Sequence, residues 1–308
     1  MAAIAWMRRL VLILVLVYLG VIVLLLAFEK RLVFFPQIPG RLTGDWSPPD
    51  LAHEDVWLTA ADGVRLHGWW IPASANRVTS EGGPSPAGAP GGASDLPTFL
   101  CFHGNAANIA WRADVYRFVR GLPANVFALE YRGYGRSEGA ASEKGIYQDA
   151  DAAYSYLVHE KGIPPRRIIA LGQSLGTAVA AELAARRELG GVVLEAPFPS
   201  ARALARRIYW FVPGLGWLIR SRFDTSQNLE RASHSFAAPL LIIHCTGDPV
   251  IPYAFGKEVY ERAMEPKSFL AVSGTCHEEA TLVDPEAVRR ELLLFVEQVR
   301  AGQPPGGR

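Results

Sequence analysis

The stretch on which the reading of this chain turns is Arg167-Ile168-Ile169-Ala170-Leu171-Gly172-Gln173-Ser174-Leu175-Gly176-Thr177-Ala178-Val179-Ala180-Ala181. The apolar run at 167–171 reads as a buried strand, and the alanine-rich run at 175–189 reads as a helix. Between them stands Gly172-Gln173-Ser174-Leu175-Gly176, the pattern G-x-S-x-G. A serine on a sharp strand-to-helix turn needs small neighbours, because side chains flanking it would collide with the bent backbone. Its hydroxyl then projects above the sheet, and the helix N-terminus behind it favours developing negative charge. The plainer alternative is a helix-capping serine set between packing glycines. The surrounding chain decides between the two.

Working outward, short apolar runs at 64–71, 98–102, 126–130, 192–194, 240–244 and 269–272 alternate with helical patterns at 107–120, 144–161 and 285–300. Strands alternating with helices predict a mostly parallel sheet covered on both faces. In the last helix Val288, Leu292, Phe295, Val296 and Val299 share one face. The segment at 72–97 is rich in Gly, Pro, Ser and Ala, cannot bury a core, and is expected to be a flexible insertion. From 197 to 238 the alternation lapses, and Tyr209, Trp210, Phe211 and Trp217 lie among arginines. This is where a lid over a site would sit, although an amphipathic helix packed on the sheet fits the same residues. Residues 302–308 read as a disordered tail.

At the other end, residues 10–28 run without a charge, between Arg8-Arg9 and Glu29-Lys30-Arg31. At about 1.5 Å per residue they span roughly 28 Å, close to the hydrocarbon thickness of a bilayer. A cleaved secretory leader has a shorter apolar core and a small-x-small cleavage site, which Leu26-Ala27-Phe28 does not supply. The expectation is a membrane anchor over residues 1–32, followed by one catalytic domain over 33–301. Basic residues on the two flanks nearly balance, so the side of the membrane on which the domain lies stays open.

Half of the 308 residues are apolar and the net charge is +1, with both signs scattered. A packed core is therefore within reach, and no basic stripe marks a nucleic-acid surface. The three cysteines, Cys101, Cys245 and Cys276, are unevenly spaced and read as small buried side chains, not as a disulfide framework. No ligand spacing for a metal is present, and no cofactor is expected.

A serine hydroxyl needs a base, and the base needs an orienting partner. On a sheet of this kind the three follow the order serine, acid, histidine. His277, in Ser273-Gly274-Thr275-Cys276-His277, lies in a loop after a late strand and suits the base. Asp248 follows the strand at 240–244 and is stiffened by Pro249 and Pro252, which favours it as the acid. Glu195, at the end of the preceding strand, and Asp224 remain as rivals. The backbone N–H of Leu175 and that of Asn105, in His103-Gly104-Asn105-Ala106, suit an oxyanion hole. His103 reads as a structural support of that loop, and Asn108 as a helix-start residue.

Phe102-His103-Gly104-Asn105-Ala106, Glu130-Tyr131-Arg132-Gly133-Tyr134-Gly135-Arg136-Ser137 and Gly172-Gln173-Ser174-Leu175-Gly176-Thr177 occur in order with Gly247-Asp248 and His277. Together they resemble membrane-anchored α/β-hydrolase-domain proteins, a group of serine hydrolases that includes eukaryotic protein depalmitoylases and bacterial relatives. The resemblance covers roughly residues 33–299. It implies an α/β-hydrolase fold, a triad of Ser174, Asp248 and His277, and an oxyanion hole of Asn105 and Leu175. This chain departs from the pattern at Cys245, at Cys276 and at Glu278-Glu279, and it lacks the N-terminal cysteine cluster of the depalmitoylase branch.

The expected activity is hydrolysis of a carboxylic ester or thioester through an acyl-enzyme, with a small-molecule or lipid-like substrate. A serine peptidase on the same fold, and a catalytically silent membrane-bound scaffold, are the two alternatives.

Overall fold

The computed structural model describes residues 2–73, 96–235 and 238–302. The expected insertion at 72–97 falls almost wholly outside them, as does all of the expected tail beyond Gly302. Two helices open the chain, α1 (Ala2–Ala27) and α2 (Glu29–Val33). The strands are β1 (Glu54–Thr59), β2 (Arg65–Ile71), β3 (Thr98–Phe102), β4 (Asn125–Leu129), β5 (Ile168–Gln173), β6 (Gly191–Glu195), β7 (Leu240–Cys245) and β8 (Lys267–Val272). Among the described residues they form one eight-stranded sheet in the order β1-β2-β4-β3-β5-β6-β7-β8. The pairs β1–β2 and β2–β4 are antiparallel, and every later pair is parallel.

The central strands are apolar throughout because both of their faces are covered. Side chains alternate across a strand, so neighbours in sequence enter different cores. Leu100, Phe102, Ile168 and Ala170 point into one core, which holds α4 (Glu143–His159), α5 (Leu175–Arg186) and α8 (Thr225–Ser235). Phe99, Cys101, Ile169 and Leu171 point into the other, which holds α3 (Ala113–Arg120) and α11 (Pro285–Ala301). Val288, Leu292, Phe295, Val296 and Val299 of α11 are all buried. The N-terminus of α11 is capped by Asp284, whose carboxylate accepts the N–H of Ala287 at 3.1 Å.

Two of the expected stretches are built differently from the sequence-based expectation. The helix expected over 107–120 starts later: Ile109–Trp111 is a tight turn capped by the Asn108 carboxamide, and α3 follows from Ala113. The stretch 197–238 is not uniformly lid-like. α6 (Ala201–Ile208) and α7 (Leu215–Leu218) pack on each other, whereas α8 packs on α5 through Leu229 and Ala232. The amphipathic pattern of α8 is satisfied by the core, so only about the first half of the stretch is free to cover a site.

α1 is long and apolar enough to cross a membrane, and it is almost wholly exposed. It meets the rest of the chain along one stripe, Ile22, Leu25 and Leu26, which packs with Val212, Leu215 and Ile219 around α7. Glu29 fastens this junction. Its carboxylate accepts the backbone N–H groups of Arg220 at 3.0 Å and Ser221 at 2.7 Å. The remaining two helices, α9 (Tyr253–Arg262) and α10 (Ala280–Val283), flank β7 and β8.

Candidate active site

Because β3, β5, β6, β7 and β8 are parallel, their C-terminal ends meet at one edge of the sheet, where an open α/β sheet holds its ligands. The loops after β3, β5, β7 and β8 carry Asn105, Ser174, Asp248 and His277 respectively.

Ser174 sits between β5 and α5 with φ 50° and ψ −114°, a conformation that an L-residue adopts at a cost of roughly 1–3 kcal/mol. The two flanking glycines make that turn possible. A Cβ on Gly172 would lie 2.3 Å from the carbonyl oxygen of Gly176, and one on Gly176 would lie 2.0 Å from that of Phe102. Both distances are well inside van der Waals contact with rigid backbone, so neither position admits a side chain.

His277 Nε2 stands 2.9 Å from Ser174 Oγ, and His277 Nδ1 stands 2.8 Å from Asp248 Oδ2. Asp248 is fixed in turn, because its Oδ1 accepts the backbone N–H groups of Val250 at 2.7 Å and Ile251 at 2.8 Å. Burial alone would raise the Asp248 pKa. Hydrogen bonds from His244 and His277, and the charge of His277, overcome that and hold its carboxyl well below the usual carboxylate range. For His277, burial works against the charged ring, but the Asp248 hydrogen bond and the charges of Glu278, Asp248 and Glu195 raise its pKa.

The rival acids lie elsewhere. Glu195 is buried beneath the turn, where it accepts the Gln173 carboxamide N–H at 2.7 Å and the Ala280 backbone N–H at 2.9 Å. Burial pushes its pKa up to about 7 against both of those hydrogen bonds. Asp224 precedes α8, and its backbone carbonyl accepts the N–H of Asn228. Asn105 and Leu175 line the same cavity as Ser174 and His277. Leu175 opens α5, so its N–H belongs to the first helical turn, which has no intrahelical acceptor. The Asn105 side chain accepts from Phe35 N and Tyr134 OH, which pins the loop. His103 is buried beneath that loop, its Nδ1 2.7 Å from the Gly104 carbonyl and its Nε2 3.1 Å from Glu130.

Three features escaped the sequence reading. Cys245 and Cys276 form a disulfide, with Cα atoms 5.7 Å apart, which corrects the expectation that all three cysteines are unpaired; Cys101 alone stays free and buried. An odd count with a separation of 31 residues gave no signal of that pairing. Arg112 forms a shielded ion pair at 2.5 Å with Glu278, whose other oxygen lies 3.9 Å from His277 Nε2. Burial raises the Glu278 pKa, but the charges of Arg112 and His277 bring it below its ordinary value. Glu279 closes the loop by accepting the backbone N–H groups of His277 and Glu278.

In front of Ser174 lies a cavity of about 440 Å³. Its walls are Phe198, Leu204, Leu215 and Phe223 from the stretch between β6 and α8, with Leu25 and Val33 from the first two helices. A larger open groove of about 970 Å³ lies elsewhere, is lined by charged residues such as Glu143, Asp151 and Arg186, and contains none of the groups above.

A family model described as alpha/beta hydrolase fold matches residues 97–227. An uncharacterized protein of Mycobacterium tuberculosis is 33% identical over 277 residues, covering 89% of this chain and 90% of its own. The alpha/beta hydrolase domain-containing protein WAV2 of Arabidopsis thaliana is 32% identical and covers 90% of each chain. An esterase of Pyrococcus furiosus superposes with a TM-score of 0.61 at 22% identity, covering 84% of this chain and 97% of its own. At that identity the likeness is one of fold.

Proposed function

Because the chain belongs to the α/β-hydrolase superfamily, we propose that it is a membrane-tethered serine hydrolase of carboxylic esters or thioesters, with Ser174, His277 and Asp248 as its triad. The observation that carries this reading is the unbroken line of hydrogen bonds from Asp248 through the His277 ring to Ser174 Oγ, which faces an apolar cavity.

Ser174 Oγ attacks the acyl carbon while His277 Nε2 takes its proton, and Asp248 holds the ring in the tautomer that leaves Nε2 free to accept it. The N–H groups of Leu175 and Asn105 receive the negative charge on the carbonyl oxygen. His277 then returns the proton to the departing alcohol or thiol. Water, deprotonated by the same ring, attacks the acyl-serine, releases the carboxylic acid and restores the hydroxyl. The anchor over 1–32 and the catalytic domain over 33–301 divide the labour: the first holds the enzyme at a bilayer, and the second does the chemistry.

Full-length protein in detergent should be labelled by a fluorophosphonate at Ser174 and hydrolyse acyl esters of graded chain length faster than peptide amides. Labelling without any ester turnover overturns the activity. Absence of labelling in folded protein overturns the nucleophile.

A further inference from the structure

The lid and the membrane-spanning helix are not independent. Along α1 the residues that touch the lid are Tyr18, Ile22, Leu25 and Leu26, spaced as one helical face. The Tyr18 hydroxyl donates to the Pro213 carbonyl, in the turn between α6 and α7. Tyr18 lies nine residues before Ala27, the last residue of the apolar span. At about 1.5 Å per residue that contact is roughly 13 Å below the end of the span, measured along the helix. If α1 crosses a bilayer, the tip of the lid enters the same leaflet.

The composition of the tip fits that depth. Trp210 is 75% exposed, Phe211 63% and Trp217 75%, with Ile208 and Leu218 exposed beside them. Aromatic side chains of this size stay uncovered in water only at large cost, and Trp is enriched where a membrane meets water. Arg206 and Arg207 flank the tip and are exposed, and neither has a salt bridge among the described residues. Behind the tip, Leu215 and Ile219 of the lid and Leu25 of α1 also line the cavity that ends at Ser174. The first helix and the lid thus both wall the cavity.

Resting on the membrane-tethered hydrolase reading, we propose that the lid tip at 208–218 inserts into the bilayer beside α1, so that the site takes long-chain acyl lipids directly from the membrane. The apolar tip meets the acyl chains and the flanking arginines meet anionic headgroups. An acyl chain passes between α7 and α1 towards Ser174 without crossing water.

The test uses full-length protein in vesicles of phosphatidylcholine with a minority of phosphatidylglycerol, and reads tryptophan quenching by acyl-chain-brominated lipids. The signal of Trp210 and Trp217 is the difference between the native chain and a Trp210→Phe/Trp217→Phe variant. That difference should lose roughly half or more of its intensity in brominated vesicles. A difference that is not quenched places both rings in water, or beneath another protein, and overturns the proposal. Ser174→Ala should quench like the native chain, so this outcome stands apart from the hydrolase reading. In a second arm, Trp210→Ser/Phe211→Ser/Trp217→Ser should lower turnover of a bilayer-held long-chain ester about tenfold. Turnover of a soluble short-chain ester should stay within about twofold. Equal losses on the two esters, or none on either, overturn the proposal.

Discussion

The disulfide between Cys245 and Cys276 ties the loop that carries Asp248 to the loop that carries His277. Cys245 ends β7 and Cys276 directly precedes the histidine, so the bond lies immediately behind the 2.8 Å contact between His277 Nδ1 and Asp248. It adds a covalent link to the hydrogen bonds that join the two loops, from Gly247 N to the Gly274 carbonyl, from Gly274 N to Thr246 Oγ1 and between His277 and Asp248.

Reduction, or Cys245→Ser/Cys276→Ser, should therefore loosen the acid–base pair as well as the fold. The expected stability loss is about 2–4 kcal/mol, from freeing the unfolded chain of a cross-link. The expected kcat loss on a small ester is roughly tenfold, with KM little changed, because the geometry of the reacting groups relaxes while the cavity does not. Steady-state kinetics with and without reductant check this. Unchanged kcat in fully reduced protein would show that the bond is structural alone.

Ser174→Ala and His277→Ala should each lower kcat by roughly 10⁴–10⁶, and the double variant scarcely further. In the proposed mechanism the two side chains, 2.9 Å apart, act as one reacting unit, in which either loss disables the other. Losses that multiply would mean that they act separately.

Asp248→Asn should cost on the order of 10⁴ in kcat, because an amide at this position allows the wrong imidazole tautomer. Glu195→Gln should cost far less, since Glu195 bonds to Gln173 and Ala280 and not to His277. Its effect should appear in stability. Burial raises Glu195 from 4.5 to about 7, so between those pH values the folded protein keeps a proton that the unfolded chain releases. Stability contributed by this group therefore falls as pH rises through that window, and Glu195→Gln should flatten the fall. Urea titrations at several pH values read it directly; an unchanged pH dependence would show that Glu195 ionises alike in both states.

Glu278→Gln should move the acid limb of kcat/KM to lower pH. The base is active when neutral, and the charge of Glu278 helps to raise the His277 pKa. Removing that charge disfavours the imidazolium, so the neutral ring persists to lower pH. A pH–rate profile on one uncharged ester settles the sign. A shift in the opposite direction would mean that the released Arg112 guanidinium has moved away from the ring.

Much of this architecture was legible in the chain itself, for local reasons. Alternation of apolar runs marks a two-faced parallel sheet because each of its strands must bury both sides, as Leu100 and Cys101 do. The turn at Ser174 is legible because only Gly fits at 172 and 176, where backbone passes within contact of the missing side chains. Asp248 and His277 were reachable from their places after strand ends, and the structure brings both side chains into one hydrogen-bonded line with Ser174. What only the tertiary structure decided is what depends on distance between segments remote in sequence. The Cys245–Cys276 bond, the Arg112–Glu278 pair across 166 residues and the contact of Tyr18 with Pro213 across 195 leave no periodicity or spacing behind. Each arises because parallel strands deliver their loops to one edge, and because the long apolar helix α1 packs its one buried face on whatever the fold sets beside it.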